Sequence, residues 1–231
     1  MPLLLNIDTA TEHASVCLSR KEEVLGLAES TEQKNHASFV QPAIQQLIAK
    51  SGYQLQDIDA IAVTSGPGSY TGLRVGLASA KGICYALGKP LIMVNTLEVM
   101  AQAILSHLQS VGQPINPSTL LCPLIDARRM EVFTAMYTTF LKEIEPPYAL
   151  IIDQHSFGPL LKNQPVIFSG NGQQKLKTLI SHPNASFLNI QHNASHLAIR
   201  SLIAYHSKRF ANLAYSEPLY VKEFFNPGKK A

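Results

Sequence analysis

Apolar runs broken by short polar turns dominate the first thirty residues. Leu3–Asp8 is almost wholly apolar, the pattern of a strand covered on both faces. Residues 13–19 and 24–29 predict two more strands, so the chain opens as a three-strand meander. The period then changes. Across His36–Ser51, Phe39, Val40, Ala43, Ile44, Leu47 and Ile48 fall on one helical face. Pro42 interrupts that pattern, and a helix start near Ser38 would place it in the first turn, where its missing N–H costs nothing. Residues 58–64 then predict a buried strand, 65–72 a loop, 72–87 a helix closed by Gly88, 90–94 a strand and 96–108 a helix.

Residues 109–119 are richer in Gly, Pro, Asn and Ser and form the best boundary. It divides the chain into lobes of residues 1–110 and 111–231, with the last helix expected to pack back on the first lobe. Strands are predicted again over 120–126, 132–139, 148–152 and 166–169, with helices over 173–180 and 197–210, the second opening near Asn193. Residues 219–225 are apolar and are expected to pack, whereas 226–231 read as a frayed end. Leu5-Asn6-Ile7-Asp8-Thr9-Ala10 and Pro123-Leu124-Ile125-Asp126-Ala127-Arg128 are each an apolar strand ending in Asp, then a turn and a second apolar strand. Asp8 aligns on Asp126 without a gap, which suggests an internal duplication.

Composition narrows the class. The chain has 231 residues, 46% hydrophobic and 15% charged, where globular chains average about 25% charged. That excludes a disordered chain and favours a large core or an apolar docking face. Residues 1–115 hold seven Lys/Arg against nine Asp/Glu, a net −2, while residues 116–231 hold twelve against seven, a net +5. This basic excess permits contact with phosphates without demanding it. Cys17, Cys84 and Cys122 are odd in number, far apart and set in apolar stretches, the usage of reduced cytoplasmic thiols. The N-terminal run lacks a basic flank and is too short for a signal peptide, and no stretch reaches the ~20 apolar residues of a membrane span.

The strongest local signal is the loop Ser65-Gly66-Pro67-Gly68-Ser69-Tyr70-Thr71-Gly72 entering a helix. Such a loop exposes backbone N–H groups to an anion, and Ser69 or Thr71 can cap the helix. It lacks the Gly-Lys-Ser/Thr of a Walker A loop. Gly72, Gly76, Ala80 and Cys84 recur every four residues and so share a face. Glycine inside a helix costs ~1 kcal/mol relative to alanine, which makes sense at Gly76 and Gly82 where another backbone must come close, within the chain or from a second subunit. Asp8, with Thr9 and Thr11 behind it, can turn the chain or face a phosphate. Arg128 and Arg129 can grip an acidic partner or RNA phosphate. His192 and His196 stand four apart, a metal-ligand spacing with no acid or thiol nearby in sequence. No GxSxG nucleophile elbow is present.

Asn6-Ile7-Asp8-Thr9-Ala10-Thr11, Ser65-Gly66-Pro67-Gly68-Ser69-Tyr70-Thr71-Gly72-Leu73-Arg74-Val75-Gly76 and Ile125-Asp126-Ala127-Arg128-Arg129 resemble, in order and spacing, the bacterial TsaB (formerly YeaZ) family. The resemblance is specific over residues 1–100, good around 120–137 and thin after 150. Tyr70 stands where the family often has Phe. The resemblance implies an α/β, actin/sugar kinase/Hsp70-like (ASKHA) fold of two duplicated β-β-β-α-β-α lobes. It also implies a part in threonylcarbamoylation of the adenosine beside the anticodon of ANN-decoding tRNAs, from an adenylate donor made by TsaC. The chain would pair with its catalytic paralogue TsaD and work with the ATPase TsaE. In TsaD the segment "PLIGVNHLEGH" carries two metal-binding His. Here Thr96 and Met100 occupy those positions, an implausible pair for such a metal.

The expectation is therefore a cytoplasmic, non-catalytic subunit with no metal and no cofactor of its own. ATP or ADP would sit, if bound, at the junction with TsaD, and tRNA would be met through the complex. Partner contact is expected from His36, Phe39, Val40, Ala43, Leu47, Gly72, Gly76, Ala80 and Cys84, and alone the chain would form a homodimer through the same face. Gly76→Leu or Ala80→Leu is then expected to block pairing and leave the fold intact. Asp8, Thr9, Thr11, Ser65, Gly66, Gly68 and Ser69 are the candidate nucleotide or anion contacts, and Arg128 and Arg129 the candidate RNA or partner contacts. The alternative is a small-acid or sugar kinase of the same superfamily, which would place Mg-nucleotide with Asp8 and Asp126 and use Gly170-Asn171-Gly172 as its adenosine loop.

Overall fold

The computed structural model describes residues 1–32 and 35–222. The opening meander is β1 (Leu3–Asp8), β2 (Ala14–Arg20) and β3 (Glu23–Ser30), followed by α1 (His36–Ser51), β4 (Ala60–Thr64), α2 (Tyr70–Leu87), β5 (Leu91–Val94) and α3 (Thr96–Ser110). The second half runs β6 (Leu120–Asp126), β7 (Glu131–Thr138), β8 (Glu143–Ile151), α4 (Gly158–Leu161), β9 (Val166–Ser169), α5 (Gln173–Lys177), β10 (Ala185–Leu188) and α6 (Ala194–His206). Two five-stranded sheets result, ordered β3-β2-β1-β4-β5 and, in the same sense, β8-β7-β6-β9-β10. In each, the first three strands are antiparallel and the fourth and fifth join in parallel. This is the α/β ASKHA-type architecture with a repeated strand order.

Each sheet is covered on both faces. From β1, Leu3, Leu5 and Ile7 enter a core with Val40, Ala43, Ile44 and Leu47 of α1 and Leu77, Ala80 and Cys84 of α2. Leu4 faces the other way, toward Leu197 and Ala204 of α6. That two-sided cover is why β1 reads as an unbroken apolar run. In the second sheet, Leu120, Cys122 and Leu124 meet α4 and α5, whereas Leu121 and Ile125 meet α3. The last helices are thus exchanged: α3, from the first half, lies on the second sheet, and α6, from the second, lies on the first. They touch each other, joined by the Arg200–Glu98 ion pair, with a hydrogen bond of 2.8 Å from Arg200 Nε. Asn6, buried among apolar residues, is satisfied across the same layer by Ser19 and by Ser201 of α6.

Several elements differ from expectation. α1 begins at His36 and keeps Pro42 inside it, so the carbonyl of Ser38 loses its usual N–H donor four residues on. α5 stops at Lys177 and α6 at His206, each short of the predicted end, and the strand expected over 148–152 starts at Glu143. The short α4 and β10 carry too few residues to show a period and were not predicted. Of the apolar tail, residues 219–222 lie in the structure; the packing expected of 223–225 and the fraying expected of 226–231 fall outside the described residues. No described helix is long and apolar enough to cross a membrane.

Candidate functional site

The two Asp-ended hairpins come together. The turn after β1 and the turn after β6 face each other across a cavity of about 380 Å³, with the start of α2 as a third wall. Thr11, Glu12, Gly68, Ser69, Asp126, Arg128 and Asn171 are among its lining residues. An adjoining cavity of about 310 Å³ shares Gly68, Tyr70, Ala127, Arg128 and Phe133 and is closed by Leu219 to Lys222. A larger trough, about 890 Å³, lies at the opposite end of β1 against Met1, Lys21, Leu202 and His206. It lies away from both Asp-ended hairpins and from the Gly-rich loop, so the paired hairpins form the better candidate cleft.

The glycines of the loop and of α2 seat the first hairpin. A Cβ on Gly68 would overlap the Ala10 carbonyl oxygen, one on Gly72 the Thr9 carbonyl oxygen, and one on Gly76 the Thr9 hydroxyl. Thr9 Oγ1 donates to the Gly72 carbonyl at 2.7 Å, and Ser69 N to the Ala10 carbonyl at 2.6 Å. Ser69 also caps α2 by accepting from Gly72 N. His36, buried on α1, holds the same turn through Nε2 at 2.9 Å from the Thr11 carbonyl. The small-residue stripe therefore faces inward. Gly72, Gly76, Ala80 and Cys84 are buried against the chain's own strand and turn, as are His36, Val40, Ala43 and Leu47, while Phe39 is only partly buried. These side chains cannot meet a partner directly, which corrects the expectation that Gly76→Leu or Ala80→Leu would leave the fold intact.

The anion candidates separate in the same way. Thr11, Gly68 and Ser69 line the cleft. Thr9 is buried under α2, the Ser65 carbonyl accepts from Leu219 N at 2.7 Å, and Gly66 N donates to Thr96 Oγ1 at 3.1 Å beneath the Leu219 backbone. Asp8 is 1% exposed and lines neither cavity. Its Oδ1 accepts from Thr64 Oγ1 and Ala10 N, and its Oδ2 lies 3.3 Å from His192 Nε2 without hydrogen-bond alignment. Asp126 Oδ1 is taken by Lys175 Nζ at 2.6 Å and by Arg128 N at 2.6 Å. Asp8 is thus buried away from both cavities, whereas Asp126 lines the cleft with its Oδ1 engaged. Gly170-Asn171-Gly172 is a clip rather than an adenosine loop. Asn171 accepts from Asp126 N and donates to Glu12, and Gly170 abuts Met100 and Leu124.

The positions that correspond to the paralogue's His pair have other work. Thr96 is buried with its hydroxyl on the Gly66 amide, and Met100 is buried in the core under the second sheet. Among the described residues no group of three or more His, Cys, Asp or Glu could hold a metal. His192 and His196 do not share a helix face, because α6 begins only at Ala194. His192 meets Asp8, whereas His196 Nδ1 accepts from Asn193 N and closes a capping box. Burial, with the nearby His192 second, lowers the pKa of His196. Burial likewise raises that of Cys84 to about 11 and those of Cys17 and Cys122 to about 12, which leaves all three as inert thiols.

The sequence named Arg128 and Arg129 but not the backbone that presents them, and it gave no site role to the segment after α6. Arg128 and Arg129 occupy consecutive left-handed positions (φ 70° and 45°) in the turn between β6 and β7, a backbone that side chains other than Asn and Gly seldom adopt. Arg128 is thereby presented to both cavities. The segment after α6 bridges β5 at Ala211, receives Lys81 Nζ at the carbonyls of Ala214 and Ser216, and packs Tyr220 on Tyr70 with its hydroxyl toward Arg74 Nε at 3.1 Å. Lys222 then reaches Glu131 of β7 at 2.8 Å. Only its apolar character was legible beforehand.

The family model described as "TsaD: tRNA N6-adenosine threonylcarbamoyltransferase" matches residues 20–223. The tRNA threonylcarbamoyladenosine biosynthesis protein TsaB of Bacillus subtilis is 30% identical over 180 residues, 77% of this chain and 74% of that protein. The protein of the same name from Escherichia coli is 37% identical over 134 residues, 58% and 54% of the respective chains. The solved structure "YeaZ from Pseudomonas aeruginosa" superposes with a TM-score of 0.81 at 23% identity, over 95% of this chain and all of that one, a likeness in fold. With the motifs of both hairpins and the Gly-rich loop in place, the chain belongs to the TsaB (YeaZ) family.

Proposed function

We propose that this chain takes part in tRNA threonylcarbamoyladenosine biosynthesis as a non-catalytic subunit that docks on TsaD and holds it in a productive shape. Family membership supports the first half of that reading. The outward face of α1 and α2 carries the second. Ser38, Gln41, Pro42, Gln45 and Ala49 on α1, with Ala78, Gly82, Tyr85 and Ala86 on α2, are exposed and uncharged. Tyr85 is 84% exposed. A Cβ on Gly82 would meet nothing within 4 Å, so the chain's own packing does not require glycine there. An uncharged face with a small centre and a large aromatic beside it suits close helix packing against another protein. The same face would support the homodimer when TsaD is absent.

In this reading the isolated chain has no cofactor, ATP or ADP binds at the junction with TsaD, TsaE joins the assembled pair, and tRNA reaches the complex in the cytoplasm. The burial of Asp8 away from both cavities argues against the kinase alternative. The test is co-purification of TsaD with Gly82→Arg and Ala78→Arg. Both are expected to keep the wild-type melting temperature and to lose TsaD. Retention of TsaD by both folded variants would refute the docking face.

A further inference from the structure

The second lobe carries an unbalanced charge that the docking face does not use. From Gln154 to Ser216 there is no Asp or Glu, while the stretch holds four lysines and two arginines. The fold gathers part of this into one band. α4 and α5 cover the same face of the second sheet, since Leu161 and Leu176 share one core cluster. Lys162 caps the end of α4, Lys177 ends α5, and both are exposed. The Lys175–Asp126 contact fastens α5 beside the β6–β7 turn, where Arg129 projects in a left-handed conformation.

Two of the acids beside these cations are paired with lysines. Asp126 is held by Lys175 and Glu131 by Lys222. Asp153 has no cationic partner among the described residues; the bonds from the His155 amide and from Ser156 lower its pKa, so it stays an anion and subtracts one charge beside α4. Arg129, Lys162 and Lys177 pair with no carboxylate among the described residues. Arg129 follows the last residue of β6, and Lys162 precedes β9, whose Val166 pairs with Leu120 at the start of β6; the seven residues of β6 span roughly 23 Å at the usual rise of a strand. Unpaired cations spread over that length match a run of phosphates better than a single small anion.

We infer that the α4–α5 face, with Arg129, Lys162 and Lys177, contacts the phosphate backbone of RNA. The inference rests on the proposed role in tRNA modification and adds a direct, sequence-independent contact from this subunit. Phosphate contacts of this kind orient an RNA without reading its bases.

The experiment is titration of purified full-length chain with an unmodified tRNA transcript across a KCl series. Three phosphate contacts predict a log–log salt slope of about −2 to −3. Lys162→Glu/Lys177→Glu is expected to bind at least tenfold more weakly at low salt and to flatten the slope by about 2. Lys162→Gln/Lys177→Gln is expected to show a smaller loss, and Lys21→Glu/Lys89→Glu, on the first lobe, no comparable loss. Melting curves separate misfolding from lost contacts. Wild-type affinity in the folded reversal variant, no tRNA binding by the wild type, or loss of TsaD rather than tRNA would each overturn the inference. Restoration of threonylcarbamoyladenosine by the wild-type chain in depleted cells reads the functional proposal separately, so the two can fail apart.

Discussion

The two lobes repeat one strand order and differ in what covers it. The first sheet is roofed by α1 and α2, of 16 and 18 residues, and the second by α4 and α5, of 4 and 5. The exposed residues of the long helices are uncharged apart from Lys50 and Arg74, and the short helices carry lysine. A duplicated frame thus needs its sheet register and its exchanged helices α3 and α6. The outer cover is free to diverge, and that is where a second surface property can be acquired.

The sharpest way to break this comparison lies on α2 itself, where two glycines have opposite environments. Gly76→Leu drives a side chain into Thr9 and Val63, and overpacking there is expected to cost about 3 kcal/mol or more in urea unfolding. A variant of wild-type stability would mean the hairpin is not seated on α2. In the second lobe, Phe168→Ala, in a fully buried site between Phe157 and Phe187, is expected to cost about 3–5 kcal/mol. Asn193→Ala removes the cap of the exchanged helix α6 and is expected to cost about 1 kcal/mol. Gly82→Ala, on the open side of α2, is expected to stabilise by about 0.5–1 kcal/mol.

The smallest effect is with pH. Burial disfavours protonated His196 in the folded protein, so the unfolded chain binds that proton more readily. Stability is then expected to fall as pH drops below the ordinary histidine value of about 6.5. His196→Gln is expected to flatten that part of a pH series of unfolding midpoints. An unchanged slope would assign the acid sensitivity to other groups.

Much of the frame was legible because it rests on periodicity. Leu3–Asp8 and the apolar face of His36–Ser51 marked strand and helix directly, and the Asp8/Asp126 match marked the repeat. The site was less legible because spacing gives a face but not its direction. Gly72, Gly76 and Ala80 do lie on one side of a helix, and only the position of Thr9 assigns that side to the interior. His192 and His196 stand four apart in sequence, yet the helix boundary between them sends one to Asp8 and the other to a cap. Asn171 and the segment at Leu219 to Lys222 act through contacts 45 or more residues away in sequence, beyond the reach of any local pattern.

The most direct test of the central claim is nucleoside mass spectrometry of tRNA from cells depleted of this chain and re-expressing either the wild type or Gly82→Arg. Threonylcarbamoyladenosine is expected to fall on depletion, to return with the wild type and to stay low with the folded variant. Full restoration by Gly82→Arg would contradict docking through α1 and α2, and a level untouched by depletion would contradict the role in tRNA modification itself.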